Sequence, residues 1–416
     1  MRIAIIGSGI SGMVAAYLLH REHDVTVFEA NDYVGGHTRT IDVTLDGKTL
    51  PVDTGFIVFN QATYPNFVKL LRKLDVPWQD SDMSFSVHCD RTGIEYCPSS
   101  FGRFFAQWRN LLRLGFWRMI REIFAFRRQL LQMAELPETV TLGQHLDKLG
   151  YSRQFREYFL IPMGAAIWSA EPNRFESMPA CMFARFFANH GFLNVRDQPQ
   201  WLVVKSGSRE YAKVLTASLR DRIRLNCPVR SIRRLSEAVR VEPTGAQAEL
   251  FDHVIVATHS DQALRLLSAP TAREKEILGA LPYQENQVAL HTDEGLLPQR
   301  RKVWASWNYR IPREGQHAVA VTYDMNILQN LDADAEICVT LNQTDKIDPR
   351  KVLRRMLYSH PVYTPEALVA QRRRAEISGV NRTHYCGAYW GNGFHEDGVN
   401  SALAVCKHFG RGLSDA

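Results

Sequence analysis

Gly7-Ser8-Gly9-Ile10-Ser11-Gly12 is a Gly-x-Gly-x-x-Gly run set between a β-branched, apolar segment at 2–6 and a stretch of good helix formers from Met13 to His20. Each glycine has a physical use: Gly7 permits a tight turn, Gly9 lets a pyrophosphate approach the backbone, and Gly12 lets helix pack on strand. The helix start offers unpaired N–H groups and a partial positive charge to phosphates. A second strand, Val25-Thr26-Val27-Phe28, ends at Glu29-Ala30, where the carboxylate can accept both hydroxyls of an adenosine ribose. Alone, the glycines read equally well as an ordinary turn; strand, helix, strand and acid in register favour a dinucleotide site.

Six positions after Glu29 comes Gly35-Gly36-His37-Thr38-Arg39. This glycine pair either runs against a bound cofactor or serves a turn. A hairpin follows, alternating Ile41, Val43 and Leu45 up to Asp46-Gly47 and returning through Val52-Asp53-Thr54-Gly55-Phe56. The carboxyl-terminal segment carries Gly387, Gly391, Gly393 and Gly398, four glycines in twelve residues, with Gly393-Phe394-His395-Glu396-Asp397-Gly398-Val399 leading into a helix from Asn400 to about Phe409. Such a segment either presses backbone against something flat or is a loop before a terminal helix. His395, Glu396 and Asp397 are consecutive, and consecutive residues on a turn rarely converge on one ion, so no metal site is expected.

The elements that must position these residues belong to a chain of 416 residues, too long for one ordinary core and suited to a cofactor domain plus a substrate domain. A composition of 45% hydrophobic and 23% charged residues is that of a globular protein, and no run approaches the roughly 18 uncharged apolar residues of a membrane span. The apolar start at residues 2–6 is cut by glycines and leads to an acidic strand end, which reads as strand and not as a signal peptide. Seven scattered cysteines without Cys-x-x-Cys spacing argue against a disulfide framework or zinc and for a cytoplasmic setting. A net charge of +6 on this length makes no case for nucleic acid.

Farther on, Cys227-Pro228-Val229-Arg230-Ser231-Ile232, the strand Ala238-Val239-Arg240-Val241 and the strand Asp252-His253-Val254-Ile255-Val256-Ala257-Thr258 follow one another in order. Together with Glu29, Gly35-Gly36, Asp53-x-Gly55 and the carboxyl-terminal segment, this order resembles the flavin-containing amine oxidase, protoporphyrinogen oxidase and phytoene desaturase superfamily. The resemblance implies an α/β fold: a Rossmann-like FAD-binding domain of the glutathione-reductase type with an α+β substrate domain inserted. It implies FAD as cofactor, held by Gly7, Ser8, Gly9, Ile10, Ser11, Gly12, Glu29, Ala30, Gly35, Gly36, His37, Thr38, Gly55, Phe56, Val229, Ala257, Gly393, Phe394, His395, Glu396 and Val399. In the superfamily the position of Val229 meets adenine through its backbone, and the carboxyl-terminal helix start lies against the flavin N1 and C2 carbonyl, where its dipole favours the anionic reduced form. The matches place the cofactor domain at 1–60, 200–265 and 380–416, and the substrate domain at 61–199 and 266–379.

On the substrate side, residues 101–133 hold seven arginines, one acid (Glu122) and apolar residues at helical spacing. Such a region either binds an anionic bilayer surface or is a core-packing helix pair with a basic outer face. The run from Phe159 to Ser169 and on from Met178 to Phe187 is a domain core or the wall of an apolar tunnel, with Trp168 the residue expected to reach the pocket. Trp304, Trp307, Asn308 and Tyr309 are expected on a strand that could line the same cavity. Amine oxidases of the superfamily commonly place a lysine beside flavin N5; the matching strand here is Asn286-Gln287-Val288-Ala289-Leu290-His291-Thr292, and no lysine occurs between Lys275 and Lys302. Gln287 or His291 could occupy the position, and Tyr389, Trp390 and Phe394 suggest part of an aromatic cage.

The expectation is an FAD-dependent oxidoreductase acting on an apolar, lipid-like substrate by dehydrogenation, desaturation or the reverse saturation, with the chemistry carried by the flavin. The whole chain is similar to a bacterial group of amine-oxidase-like FAD proteins encoded beside cyclopropane-fatty-acid-synthase-like methyltransferases, which points to modified fatty acyl chains and to such a methyltransferase as a partner. The rivals are an amine oxidase and a non-catalytic flavin carrier at the membrane surface. A cytoplasmic protein, peripheral on the inner face of the membrane, fits these readings.

Overall fold

The computed structural model describes residues 1–191, 199–313 and 318–415. Five parallel strands form its first sheet, in the spatial order Ile223–Arg224, Asp24–Phe28, Arg2–Ile6, His253–Val256, Thr383–Tyr385. Ile3, Ala4, Ile5, Val25, Val27, Val254, Ile255 and Val256 are all buried, as the lack of alternation in these strands requires when both faces of a sheet are covered. One face carries the fingerprint helix Ile10–Leu19, the helix Arg209–Thr216 and the carboxyl-terminal helix His395–Cys406. The other carries a three-stranded antiparallel meander (Val229–Arg234, Val239–Pro243, Glu249–Phe251), whose Ile232, Val239, Val241 and Phe251 pack on Ala4, Ile6 and Val256. This is the Rossmann-like FAD-binding architecture expected.

The second unit is built on a seven-stranded mixed sheet, ordered Val352–Pro361, Tyr283–His291, Cys338–Leu341, Val321–Asp324, Trp307–Ile311, Phe85–Cys89, Glu95–Tyr96. Its two longest strands are antiparallel, with Gln284 opposite His360 and Asn286 opposite Tyr358. Against one end sits a helical cluster: the 21-residue helix Leu114–Ala134, with Ile161–Trp168 and Ala180–His190. Pro162 has no N–H to give the carbonyl four residues back, that of Tyr158; the backbone widens into a π-turn at Arg156–Leu160, and the Tyr96 hydroxyl donates to the Tyr158 carbonyl at 2.5 Å instead.

The domain boundaries differ from the expected ones. The helix Pro65–Lys73 buries Phe67, Val68, Leu70 and Leu71 in the same core as the fingerprint helix, so the stretch after residue 60 still belongs to the cofactor domain. Leu267, Ile277, Leu278, Ala370 and Ile377 likewise pack with Val254 and Val256, which moves both edges of the second insertion inward. These amphipathic helices carry no motif, and only packing assigns them.

Candidate cofactor and substrate site

The fingerprint loop has the backbone its glycines predict. Gly7 adopts φ +98°, and a Cβ on Gly12 would stand 2.0 Å from the Gly7 carbonyl oxygen. A Cβ on Gly9 would meet nothing within 4 Å among the described residues, so the backbone is open on that side. Gly36, at φ +59°, brings a hypothetical Cβ to 3.3 Å from the Gly9 Cα, and the Gly35 N–H donates to the Ser8 carbonyl at 3.0 Å. The glycine pair thus lies alongside the fingerprint. Ala257 closes the other side, its carbonyl 3.0 Å from a Cβ on Gly7.

Glu29 is buried at the strand tip, with Ala30 exposed just beyond it. One carboxylate oxygen accepts from the Ser8 N–H (2.9 Å) and hydroxyl (2.6 Å), the other from the Asn31 N–H (2.9 Å) and side-chain amide (2.8 Å). Two backbone amides fix the carboxylate, while the two side-chain donors are exchangeable for the hydroxyls of a ribose. Asn226 and Cys227 donate their N–H groups to the Asn31 and Glu29 carbonyls, which sets Val229 near the Glu29 strand tip.

At the opposite end of the cradle, the Phe56 N–H donates to the His37 carbonyl at 2.8 Å, and a Cβ on Gly55 would meet that oxygen at 2.2 Å. The ring of Phe56 stacks on His395, centroids 3.4 Å apart. His395 Nε2 lies 2.9 Å from the Tyr211 hydroxyl and 3.1 Å from Thr38 Oγ1, and the two hydroxyls bond each other. Burial pushes His395 down to about 3, so this imidazole is neutral. The carboxyl-terminal helix starts here: the Asp397 carboxyl accepts the Phe394 N–H at 3.0 Å, Gly393 adopts φ +93°, and Val399 is buried against the fingerprint helix. Gly398 is required by contact, since a Cβ there would lie 2.6 Å from Ile10 Cγ2. The Ser11 hydroxyl donates to the Gly398 carbonyl at 2.9 Å.

Beyond this end lies an aromatic wall. Trp168 donates its indole N–H to the Asn392 carbonyl at 3.2 Å; Phe186 stacks on Phe394 at 5.0 Å and on His190 at 3.9 Å. The Tyr363 hydroxyl would meet a Cβ on Gly393 at 2.6 Å and has no hydrogen-bond partner among the described residues. On the sheet side, His37 is surrounded by Tyr358 (5.0 Å), His360 (5.4 Å) and His259 (6.0 Å). Asn286 holds His360 through a 2.9 Å contact to Nδ1. Burial lowers His360 to about 4 and His37 well below its usual value, and the neighbouring histidines act in the same direction. His37 Nε2 is buried without a partner among the described residues, a polar atom aimed from the glycine-pair loop and left for a ligand to satisfy. Open backbone over Gly9, an exchangeable acid at Glu29 and the orphan nitrogen of His37 fit FAD.

Several expected site residues lie elsewhere. Gln287 is on the outward face of its strand, accepting from Thr344 Oγ1 at 2.8 Å. His291 is at the far end of the same strand, bonded to Thr340 and to the Asp293 N–H. Alternation explains both: Asn286 shares the face of Tyr358 and His360, and an offset of one residue turns the side chain away. Tyr389 packs on Leu281 and Ala367, and Trp390 lies under the Arg374 guanidinium at 5.6 Å, so neither joins Phe394 in a cage; Tyr363 and Phe186 do. The Glu396 carboxylate accepts the Asn66 and Phe67 N–H groups at 3.1 and 2.8 Å, capping the helix Pro65–Lys73 and leaving only its backbone to the cofactor end. Trp304 donates to the Pro298 carbonyl, Asn308 donates to the Thr322 carbonyl, and Trp307 and Tyr309 pack in the core of the large sheet. Sequence reasoning missed Tyr211, Asn286, Tyr358, His360 and Tyr363; alternation along residues 352–361 is the one signal that could have paired Tyr358 with His360.

A parallel sheet with a crossover meander, a glycine cradle and an acid at the second strand's tip define a dinucleotide-dependent oxidoreductase fold of the flavoprotein type. The chain belongs to the flavin containing amine oxidoreductase family, whose sequence profile matches residues 10–336, and FAD is the cofactor this membership assigns to the cradle. It is 26% identical over 310 residues to the AofH protein of Mycobacterium tuberculosis, covering 71% of this chain and 63% of that one. To human amine oxidase [flavin-containing] B it is 26% identical over 299 residues, 69% of this chain and 54% of the other. The match therefore spans less than two thirds of these relatives. Among solved structures, cyclohexylamine oxidase from Brevibacterium oxydans superposes with a TM-score of 0.70 at 16% identity, covering 99% of both chains. A fatty acid isomerase from P. acnes that produces CLA gives 0.71 at 15% identity, covering 98% of both. At these identities the likeness is one of fold.

Proposed function

We propose that this chain is an FAD-dependent oxidoreductase acting on an apolar, lipid-like substrate. Bound FAD supplies the hydride acceptor or donor, and the protein supplies orientation and a dry, uncharged pocket. The observation that carries the reading is the pairing of Asn286 with His360, 2.9 Å apart, on the strand that resembles the one where amine oxidases commonly keep a lysine. Asn286 cannot titrate, and burial keeps His360 neutral, so no cation stands there. The opposite wall, Trp168, Phe186, Phe394 and Tyr363, is aromatic and buried or half-buried, suited to exclude water from a C–H bond under attack. That the same fold houses a fatty acid isomerase supports an acyl chain as cargo.

One observation favours the rival reading: Tyr363 and Phe394 meet at Gly393, and aromatic faces also hold substrate ammonium groups. Anaerobic mixing of the holoprotein with unsaturated or methyl-branched fatty acyl substrates, and separately with simple amines, distinguishes the two. Bleaching of the flavin by acyl substrates alone is expected; bleaching by amines alone overturns the proposal.

A further inference from the structure

The helix Leu114–Ala134 is apolar on two faces. Its inward stripe, Phe116, Met119, Phe126, Leu130 and Met133, is buried against the helix Ala180–His190 and its neighbours, and accounts for the helix as a core element. Its outward stripe reads Leu114, Trp117, Arg121, Phe124, Arg128, Leu131, where a helix on a protein surface ordinarily carries polar residues. Leu114 is 87% exposed and Leu131 75%. The segment just before the helix adds Phe101 (73% exposed), Trp108 and Leu112 (74% exposed). The Trp117 indole donates to the Leu111 carbonyl at 2.8 Å and ties that segment to the helix, so the patch is one preformed surface.

Eight of the eighteen exposed large hydrophobic side chains among the described residues fall between 101 and 131, including every exposed tryptophan and phenylalanine. The same region holds seven arginines and one acid. That acid, Glu122, is buried, accepting from Arg118 at 3.0 Å and from the Ser152 amide and hydroxyl. Its charge is spent inward, so the outer surface is positive and apolar together.

We propose that this face docks the protein on an anionic lipid bilayer. Arginines interleaved with leucine and aromatic side chains along one helix face let the rings and leucines enter the acyl boundary while the guanidinium groups reach the phosphates. Between residues 101 and 131 the exposed charges are all arginines, a single sign that complements a negatively charged sheet of headgroups. The inward stripe of the same helix packs on Ala180–His190, whose Phe186 stacks on Phe394 at the pocket, so docking sets the substrate wall one helix away from the bilayer. The inference stands apart from the substrate reading, because docking is measured without turnover.

Co-sedimentation of the full-length holoprotein with vesicles tests it. Vesicles with phosphatidylglycerol in phosphatidylcholine should carry the protein down at low salt, and pure phosphatidylcholine should not. Each arginine near such a surface contributes about fivefold in binding, so Arg121→Glu with Arg128→Glu should lower partition by at least about tenfold. Leu112→Ser with Leu114→Ser should remove the part of binding that survives high salt. An unchanged flavin spectrum shows that each variant is folded. Failure of the wild type to bind phosphatidylglycerol vesicles, or equal binding to neutral ones, overturns the proposal, as does a stable dimer that buries the patch and ignores vesicles. Loss of acyl-driven flavin bleaching with vesicle binding intact would overturn the substrate reading alone.

Discussion

The Ser11 hydroxyl donates to the Gly398 carbonyl at 2.9 Å, joining the fingerprint helix to the start of the carboxyl-terminal helix across 387 positions of sequence. The two helix amino termini that a dinucleotide and a flavin ring would use are thereby held at one site, and Gly398 has no room for a side chain because Ile10 Cγ2 lies where its Cβ would go. Gly398→Val should drive the helices apart. We expect a folded protein with a flavin-to-protein ratio reduced at least about fivefold, whereas Ser11→Ala, which removes one hydrogen bond, should cost about 1 kcal/mol and retain flavin. Flavin absorbance and thermal melts read both.

Glu396 acts on protein and not on cofactor. Glu396→Ala removes the acceptor for the Asn66 and Phe67 amides and should lower unfolding free energy by about 1–2 kcal/mol. Denaturant titration measures this. Flavin content should stay at the wild-type level, and its loss would place the side chain at the cofactor.

Asp324 caps the helix Met325–Leu328 through the Ile327 N–H, yet its other oxygen is buried without a partner among the described residues. Burial raises the carboxyl to about 7, with Glu336 adding to the rise. Because the folded value lies above the unfolded one, the associated stability is complete below about pH 4 and is lost as pH rises through about 7. Asp324→Asn keeps an N-cap and removes the charge. It should be more stable than wild type by about 2–4 kcal/mol at pH 8 and equal to it near pH 4, as read by urea melts at the two pH values.

Burial lowers His360 and His190 to about 4 and His395 to about 3, so these three imidazoles are neutral above pH 5, and burial lowers His37 and His259 as well. The rate of flavin reduction by a non-ionising substrate should therefore show no inflection near pH 6.5. Stopped-flow reduction across pH 5.5 to 8.5 checks this, and a bell or step centred near 6.5 would mean that one of these rings is ionised in the working enzyme.

The cofactor half of the site was legible because steric rules act locally: Gly7, Gly12, Gly35 and Gly36 are forced by their own backbone or that of close neighbours. The substrate half was not. Gln287 and Asn286 differ by one position, and only the pairing of Asn286 with Tyr358 across the sheet tells which faces His37. Glu396 stands among residues expected at the flavin, but its partner is a helix start 329 residues away, which nothing near either segment announces. The outer helix was ambiguous for a sound reason: Leu114–Ala134 is a core helix on one face and an exposed apolar one on the other, and hydrophobic periodicity alone does not separate them.

The central claim is that residues near both ends of the chain enclose one FAD. Titration of flavin-stripped protein with FAD tests it most directly, followed by absorbance and calorimetry on wild type and on Gly12→Val, whose side chain would collide with the Gly7 carbonyl. One FAD per wild-type chain and none for the variant is the predicted result. A wild-type protein that takes up no FAD, or a variant that binds it as tightly, would contradict the account.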